Sequence, residues 1–399
     1  MIIEPAQRTQ GVREYYFSRK NPEIARLSAE RKARGEDPVI NLGIGAPDRM
    51  PPAAAIEKLR STALLSDSHK YQNYRGLPEL REAFAAWYSR YYGVTLDPAC
   101  DIQPLAGSKE GIMLISLAFV NEGDKVLVPD PGYPTYTSAS MMAGATMVNY
   151  PLLPENGWYP DFDALEKQDL RGVKIMWLNY PNMPTGAPAT IELYERAVAF
   201  GRKHNILIIN DNPYSFVLTE KPLSIFAAAG SRECCLELNS LSKAHNMSGW
   251  RIGMVCGDGE YIAQVLKVKS QMDSGMFRSL QLAAVEALSQ GPEWFGELNR
   301  EYSLRRERVF ALFDVLGAEY RRDSAGLFVW GRMKADSRFC SPDEGKTVGE
   351  RVSDRLLYEA GVFLTPGIVF GKGGSDYVRA SLCATAELMD KAREKVAAL

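Results

Sequence analysis

Five short apolar runs recur between residues 125 and 256, each rich in branched side chains and each too short for a typical helix. They are KVLVP at 125–129, VKIMWLN at 173–179, ILIIND at 206–211, CCLELN at 234–239 and IGMVC at 252–256. Stretches of helical pattern, such as 190–204, lie between them. Continuous apolar strands must be covered on both faces, and alternation with helices implies βαβ units around a mostly parallel sheet. Upstream, 53–65 has a helical pattern. So does 78–92, which places Leu80, Phe84 and Trp87 on one face, with Pro78 in the first turn and Gly93 as the stop. After about residue 275 the pattern changes to charged helices at 278–290 and 293–316, a β pattern at 326–330, a helix at 347–360 and a strand at 377–381. The expected fold is α/β, with a large domain over 46–275 and a smaller α+β domain over 276–399. Residues 1–45, with a helix at 22–34, are expected to form an N-terminal arm packing with the small domain.

A chain of 399 residues with 46% hydrophobic residues can bury a large core without covalent staples. The 47 basic and 49 acidic residues leave a net charge of −2, so no basic field points to nucleic acid or an anionic membrane. Cysteines at 100, 234, 235, 256, 340 and 383 form no C-x-x-C pair and read as reduced thiols of a cytoplasmic protein. The three histidines lack metal-ligand spacing, so no metal is expected. The first residues, MIIEPAQRTQ, are polar and unlike a secretory signal, and no apolar run approaches ~20 residues.

In open α/β sheets, ligands sit at the carboxyl ends of the strands. After the run CCLEL comes Asn-Ser-Leu-Ser-Lys at 239–243, with Arg251 eight residues beyond the lysine. A lysine desolvated in a cleft loses its proton readily and attacks an aldehyde, while Ser240 and Arg251 suit a phosphate. The plain alternative is a surface lysine in a loop. Asp211-Asn-Pro-Tyr214 offers a carboxylate that keeps a pyridine nitrogen protonated and a phenol for a ring oxygen, or else an ordinary turn. Gly107, Ser108 and Lys109 precede an apolar helix whose start suits an anion, although Ser108 is also a good N-cap. Tyr133 in PGYP either stacks on a flat ring or fills a proline-rich turn. The segment 181–186, PNMPTG, is a stiff turn that suits a site wall or a loop equally. Arg379, on the short apolar strand at 377–381, needs a partner, which a substrate carboxylate or an internal ion pair would supply.

In this order the six clusters resemble the class I/II aminotransferases, pyridoxal-phosphate enzymes of fold type I, over nearly the whole chain. The strongest marks are SLSKAHNMSGWRIG at 240–253, DNPY at 211–214 and YPNMPTG at 180–186. The resemblance implies a large domain with a mostly parallel, seven-stranded type of sheet flanked by helices. It makes Lys243 the Schiff-base lysine and proton shuttle, Asp211 the partner of the pyridinium nitrogen, Tyr214 the partner of the ring oxygen and Tyr133 the stacking aromatic. Gly107, Ser108, Lys109, Ser240 and Arg251 match a phosphate cup, the first three mainly through backbone N–H groups. Arg379 matches the grip on the substrate α-carboxylate, and Gly45 in LGIGAPD the glycine whose backbone lies over the substrate. Tyr71 in YQNYRG matches a tyrosine that reaches the phosphate of a neighbouring subunit, with Tyr74 as the alternative, which implies a homodimer with shared active sites.

One departure stands out. The family places asparagine immediately before Pro-Thr-Gly, and here that position is Met183, with Asn182 before it. Either Asn182 reaches the ring from a shifted turn or Tyr214 holds the ring oxygen alone. More narrowly, REYYFSRK at 13–20, YRGLPELREA at 74–83 and GSKEG at 107–111 resemble the LL-diaminopimelate aminotransferase group. No second arginine for a distal carboxylate is evident; Lys109 or Arg75 could serve in its place. Tyr15, Tyr16 and Phe17 either line a side-chain pocket or anchor the arm in a core. The implied reaction is ping-pong transamination between an L-amino acid and a 2-oxo acid. The rival on the same scaffold is a C–S lyase or related elimination. A regulator built on this fold would need an added basic helix-turn-helix, for which 45 residues leave no room.

Overall fold

The computed structural model describes residues 2–12, 14–343 and 345–399. A two-residue strand β1 (Ile40–Asn41) precedes the main sheet. That sheet contains β2 (Ile102–Leu105), β3 (Lys125–Asp130), β4 (Thr146–Pro151), β5 (Val173–Leu178), β6 (Leu207–Asp211), β7 (Cys235–Ser240) and β8 (Gly253–Gly257). Their spatial order is β2-β8-β7-β6-β5-β3-β4. Pairing is parallel from β7 through β6, β5 and β3 to β4, while β8 runs antiparallel to both β7 and β2. The five sequence runs therefore all become strands of one mostly parallel sheet of seven.

Alternate residues on these strands face two apolar layers. Val126, Val128, Ile175, Trp177, Ile209, Leu236 and Leu238 pack with residues of helices Ser108–Phe119, Pro134–Met142 and Gly259–Lys269. Their neighbours Leu127, Met176, Leu178, Ile208 and Cys235 face the other way, against helix Ile191–His204. Each such buried aliphatic side chain stabilises the fold by about 1.5–3 kcal/mol relative to exposure. Two strands lacked a clear signal in the sequence. β2 carries Pro104, which removes a ladder donor and is tolerated because β2 is an edge. β4 is the opposite edge and is mostly half-buried or exposed, so its pattern does not stand out.

A second sheet has the order β12-β13-β10-β9, from β9 (Glu319–Tyr320), β10 (Phe328–Arg332), β12 (Thr365–Pro366) and β13 (Tyr377–Ser381). It is antiparallel, and its register sets Arg379 between Trp330 and Thr365. β1 pairs in parallel with β11 (Val362–Phe363), joining the N-terminal segment to this later part of the chain.

Helix Pro78–Tyr92 has the expected bounds, and Leu80, Phe84 and Trp87 are buried on its inner face. The first long helix begins at Tyr16, six residues before the expected start, and runs to Ala33. The helix expected over 347–360 is α-helical over Val348–Arg355 and continues as a wider π turn over Leu356–Ala360. No helix among the described residues is long and apolar enough to cross a membrane.

Candidate active site

A cavity of about 460 Å³ opens where β6 and β7 end, between the main sheet, the segment 44–46 and the second sheet. Parallel strands converge their carboxyl ends on one edge, so the polar residues after each run meet there. Asp211 closes β6, and Lys243 lies in the single turn Leu241–Ala244 that follows β7. Both line the cavity, together with Tyr214, Tyr133, Ser108, Lys109, Ser240, Arg251, Gly45 and Arg379.

The Asp211 carboxylate is buried and half-used. Its Oδ2 accepts from the Tyr136 hydroxyl at 2.9 Å, while Oδ1 has no partner. Burial raises its pKa to about 7, opposed by the Tyr136 hydrogen bond and the Lys243 charge. A buried carboxylate oxygen without a donor calls for a proton or a cationic N–H from a ligand. Tyr136 is itself fixed by stacking on Trp177, with centroids 5.1 Å apart and planes 8° from parallel. The Lys243 ammonium donates to the Gly45 carbonyl. Burial lowers its pKa; the Arg379 and Arg251 charges act in the same direction, against Cys383 and Asp211. A lysine so placed is readily neutral and nucleophilic.

At one end of the cavity, helix Ser108–Phe119 begins after Gly107, whose φ is +83°. A Cβ on Gly107 would meet the Arg251 guanidinium, so only glycine lets the two approach. The first-turn N–H groups of Ser108 and Lys109 have no acceptor within their own helix. The Arg251 guanidinium donates to the Ser248 carbonyl at 3.0 Å, and Ser240 and Ser242 join hydroxyls at 2.8 Å. A helix start, three hydroxyls and an arginine form a cup for a small oxyanion. Gly107 contributes by conformation and does not itself line the cavity.

At the other end lies Arg379, 4% exposed on β13. Its guanidinium donates to the Gly43 carbonyl at 2.7 Å and lies 3.2 Å from the Met183 sulfur, and Nε has no partner. The ring of Phe328 lies 3.9 Å from the guanidinium carbon and that of Phe370 4.5 Å. Burial lowers the arginine's pKa to about 10, a direction that a ligand carboxylate would reverse. No carboxylate of the chain pairs with it among the described residues, so the internal ion pair allowed by the sequence is not formed.

Two predicted residues lie elsewhere. Asn182 spends both ends of its amide inside its own turn, donating to the Asn179 carbonyl at 3.1 Å and accepting from the Thr185 hydroxyl at 2.7 Å. Met183 takes the place on the cavity wall, beside Asn179, whose Nδ2 donates to the Asp211 carbonyl at 2.6 Å. Tyr71 is 91% exposed and lines a separate surface groove with Met276 and Phe277; Tyr74 is also exposed. Tyr15 and Phe17 line the cavity, while Tyr16 and again Phe17 pack with Ile24, Leu357 and Phe363, so the triplet serves both the pocket and the anchoring of the arm. Sequence reasoning missed Tyr136, Ser242, Ser248, Asn179, Phe328 and Phe370. Tyr136 had a signal: it stands three residues after Tyr133, on the same face of a helical start.

Comparison with known proteins gives a consistent picture. The family described as aminotransferase class I and II matches residues 37–396. An LL-diaminopimelate aminotransferase of Oleidesulfovibrio alaskensis is 40% identical over 380 residues, covering 94% of this chain and 95% of the relative. One of Aquifex aeolicus is 38% identical over 397 residues, covering 99% of each. The substrate-bound structure of BacF from Bacillus subtilis superposes with a TM-score of 0.90 at 35% identity, over 100% of this chain and 98% of that one.

Proposed function

The chain belongs to the class I and II aminotransferases, and on that premise we propose how its own residues divide the work of a pyridoxal-phosphate-dependent transaminase acting on amino acids and 2-oxo acids. The cofactor supplies an aldehyde for the amino group and a ring that accepts electrons while its nitrogen is protonated. Lys243 would hold that aldehyde, and its Nζ is the base for the substrate α-proton, a role that its lowered pKa supports. Asp211 Oδ1, the orphaned oxygen, keeps the ring nitrogen protonated, and Tyr136 orients the carboxylate from its other side. Tyr214 donates to the ring oxygen. It does so alone, because Asn182 is committed to its turn and Met183 has no proton to give. Tyr133 covers the ring face. Ser108, Lys109, Ser240 and Arg251 hold the phosphate, with Gly107 shaping the helix start. Arg379 grips the α-carboxylate beside the backbone of Gly45.

The observation that carries this reading is the joint placement of Lys243 and the half-satisfied Asp211 in one cavity, with an anion cup at one end and an unpaired arginine at the other. The eliminating lyase is not favoured by relatives named as aminotransferases.

The reading extends to assembly. Tyr71 and Phe277, both exposed, line one surface groove with Met276, which supports a homodimer in which Tyr71 reaches the partner's phosphate cup. Residues 1–45 and, helix Arg278–Leu288 excepted, the chain from 276 to 399 form a small domain that moves on the large one of 46–275, supported by the pairing of β1 with β11. Helix Arg278–Leu288 shares a core with Leu80, Phe84 and Trp87 and travels with the large domain. The site of action is the cytoplasm, in keeping with six free thiols.

The test is the absorption spectrum of the purified protein with added pyridoxal phosphate. A visible or near-ultraviolet band that disappears in Lys243→Ala, with amino-group exchange to 2-oxoglutarate, is the expected result. Failure to take up the cofactor, or ammonia release from a single substrate, would overturn the proposal.

A further inference from the structure

The substrate end of the cavity differs sharply in charge from what a diamino acid needs. Among the described residues that line the cavity, Asp211 is the one acid. It is buried at the end of β6, and its role is already taken by the ring nitrogen under the proposal above. The walls around Arg379 are apolar: Tyr15, Phe17, Ile44, Phe328 and Phe370. Phe17, Phe328 and Phe370 turn their rings toward the guanidinium, at 5.9, 3.9 and 4.5 Å. Lys109, whose backbone belongs to the cup at the other end, turns its ammonium this way, 4.5 Å from the centre of the Tyr15 ring.

The proposed dimer does not change this balance. The segment that would enter from the neighbouring copy, 69–77, reads HKYQNYRGL and contains no acid. Asp67, just before it, is paired with Arg278 at 3.2 Å. Asp273, on the facing loop, is held by Lys269.

We infer that the amino donor of this enzyme carries a bulky apolar side chain, aromatic or large aliphatic, and not one ending in an ammonium group. The inference rests on the transaminase site and adds its specificity. With Arg379 taken by the α-carboxylate, a distal ammonium would lose its water beside the Lys109 ammonium with no carboxylate to receive it, which is unfavourable. An apolar side chain instead exchanges water for the rings that already surround Arg379. The carboxylate grip is common to all donors, so the discrimination lies in the side-chain walls alone.

The experiment follows bleaching of the cofactor band of the holoenzyme by single amino acids in the stopped-flow. L-phenylalanine and L-leucine are expected to react with a kcat/KM at least about 10²-fold above that of LL-2,6-diaminopimelate and L-lysine. Calorimetry should give the same order for two unreactive carboxylates, with 3-phenylpropionate bound and 5-aminopentanoate, which ends in an ammonium, not bound. Asn21→Asp places a carboxylate on the cavity wall and should narrow the gap by improving the diamino acid. Equal or faster reaction of diaminopimelate, or reaction restricted to glutamate and aspartate, would overturn the inference while leaving the transaminase site intact. Bleaching by none of the donors would overturn the site itself.

Discussion

The two ends of the cavity are built in different ways. The cofactor end draws on the segments 106–111, 211–214 and 239–253 at the ends of β2, β6 and β7, and each arrives because strands running the same way share one carboxyl edge. The substrate end is assembled from residues 15, 17, 44–46, 183, 328, 370 and 379, which meet only when the second sheet and the N-terminal helix close on the first. The first end is polar and fixed by short-range turns. The second is a buried arginine in an aromatic cage, with the Lys109 ammonium over Tyr15 beside it, and its interactions are almost all long-range. Chemistry common to every donor belongs to the first, and discrimination among donors to the second.

The largest effect is expected from Lys243→Ala. Loss of the base should lower kcat for every donor alike by about 10²–10⁴-fold or more, with circular dichroism unchanged. A donor-dependent loss would erase the distinction between the ends.

Asp211→Asn tests the buried carboxylate through stability. With a folded pKa of about 7, the side chain of the cofactor-free protein keeps a proton that the unfolded chain, titrating near ~4, has already released. Its contribution is therefore fully present below pH ~4 and is lost as pH rises through about 7. The thermal midpoint of the native chain should fall over that window, and the part of that fall due to position 211 should vanish in the amide variant, which cannot titrate. An unchanged slope would place the carboxylate in water.

Arg379→Lys keeps the charge and removes the bidentate fork. The expected outcome is a fall of about 10–10²-fold in kcat/KM for all α-amino acids, with the cofactor band intact. Loss of cofactor instead would assign Arg379 to the other end.

The smallest effect is expected from Met183→Asn. A new donor near the ring oxygen favours its deprotonated form, so the pH midpoint of the cofactor colour should move down, by up to about one unit. No movement would show that Tyr214 already saturates that oxygen.

Much of this was legible beforehand because it is local. The five apolar runs become strands because continuous branched residues suit only a sheet covered on both faces. The residues after them reach one edge by the same topology. Legibility ended where a local cue was weak or ambiguous. The edges β2 and β4 were hidden by Pro104 and by half-exposure. Asn182 was the nearest amide to the expected position, yet its own turn consumes both of its polar ends. Phe328 and Phe370 carried no motif at all, because a ring beside a distant arginine leaves no spacing to read.

The sequence by itself therefore determined the class of sheet, the order of its strands' polar endings and the family, since each depends on contacts within a few residues or on a periodicity. Only the tertiary structure decided which oxygen of Asp211 is left unpaired, that Met183 and not Asn182 faces the cavity, and that Arg379 sits among rings with no acid of its own. Those outcomes depend on side chains far apart in the chain competing for the same donors and the same space. That competition is settled only when the two sheets pack together.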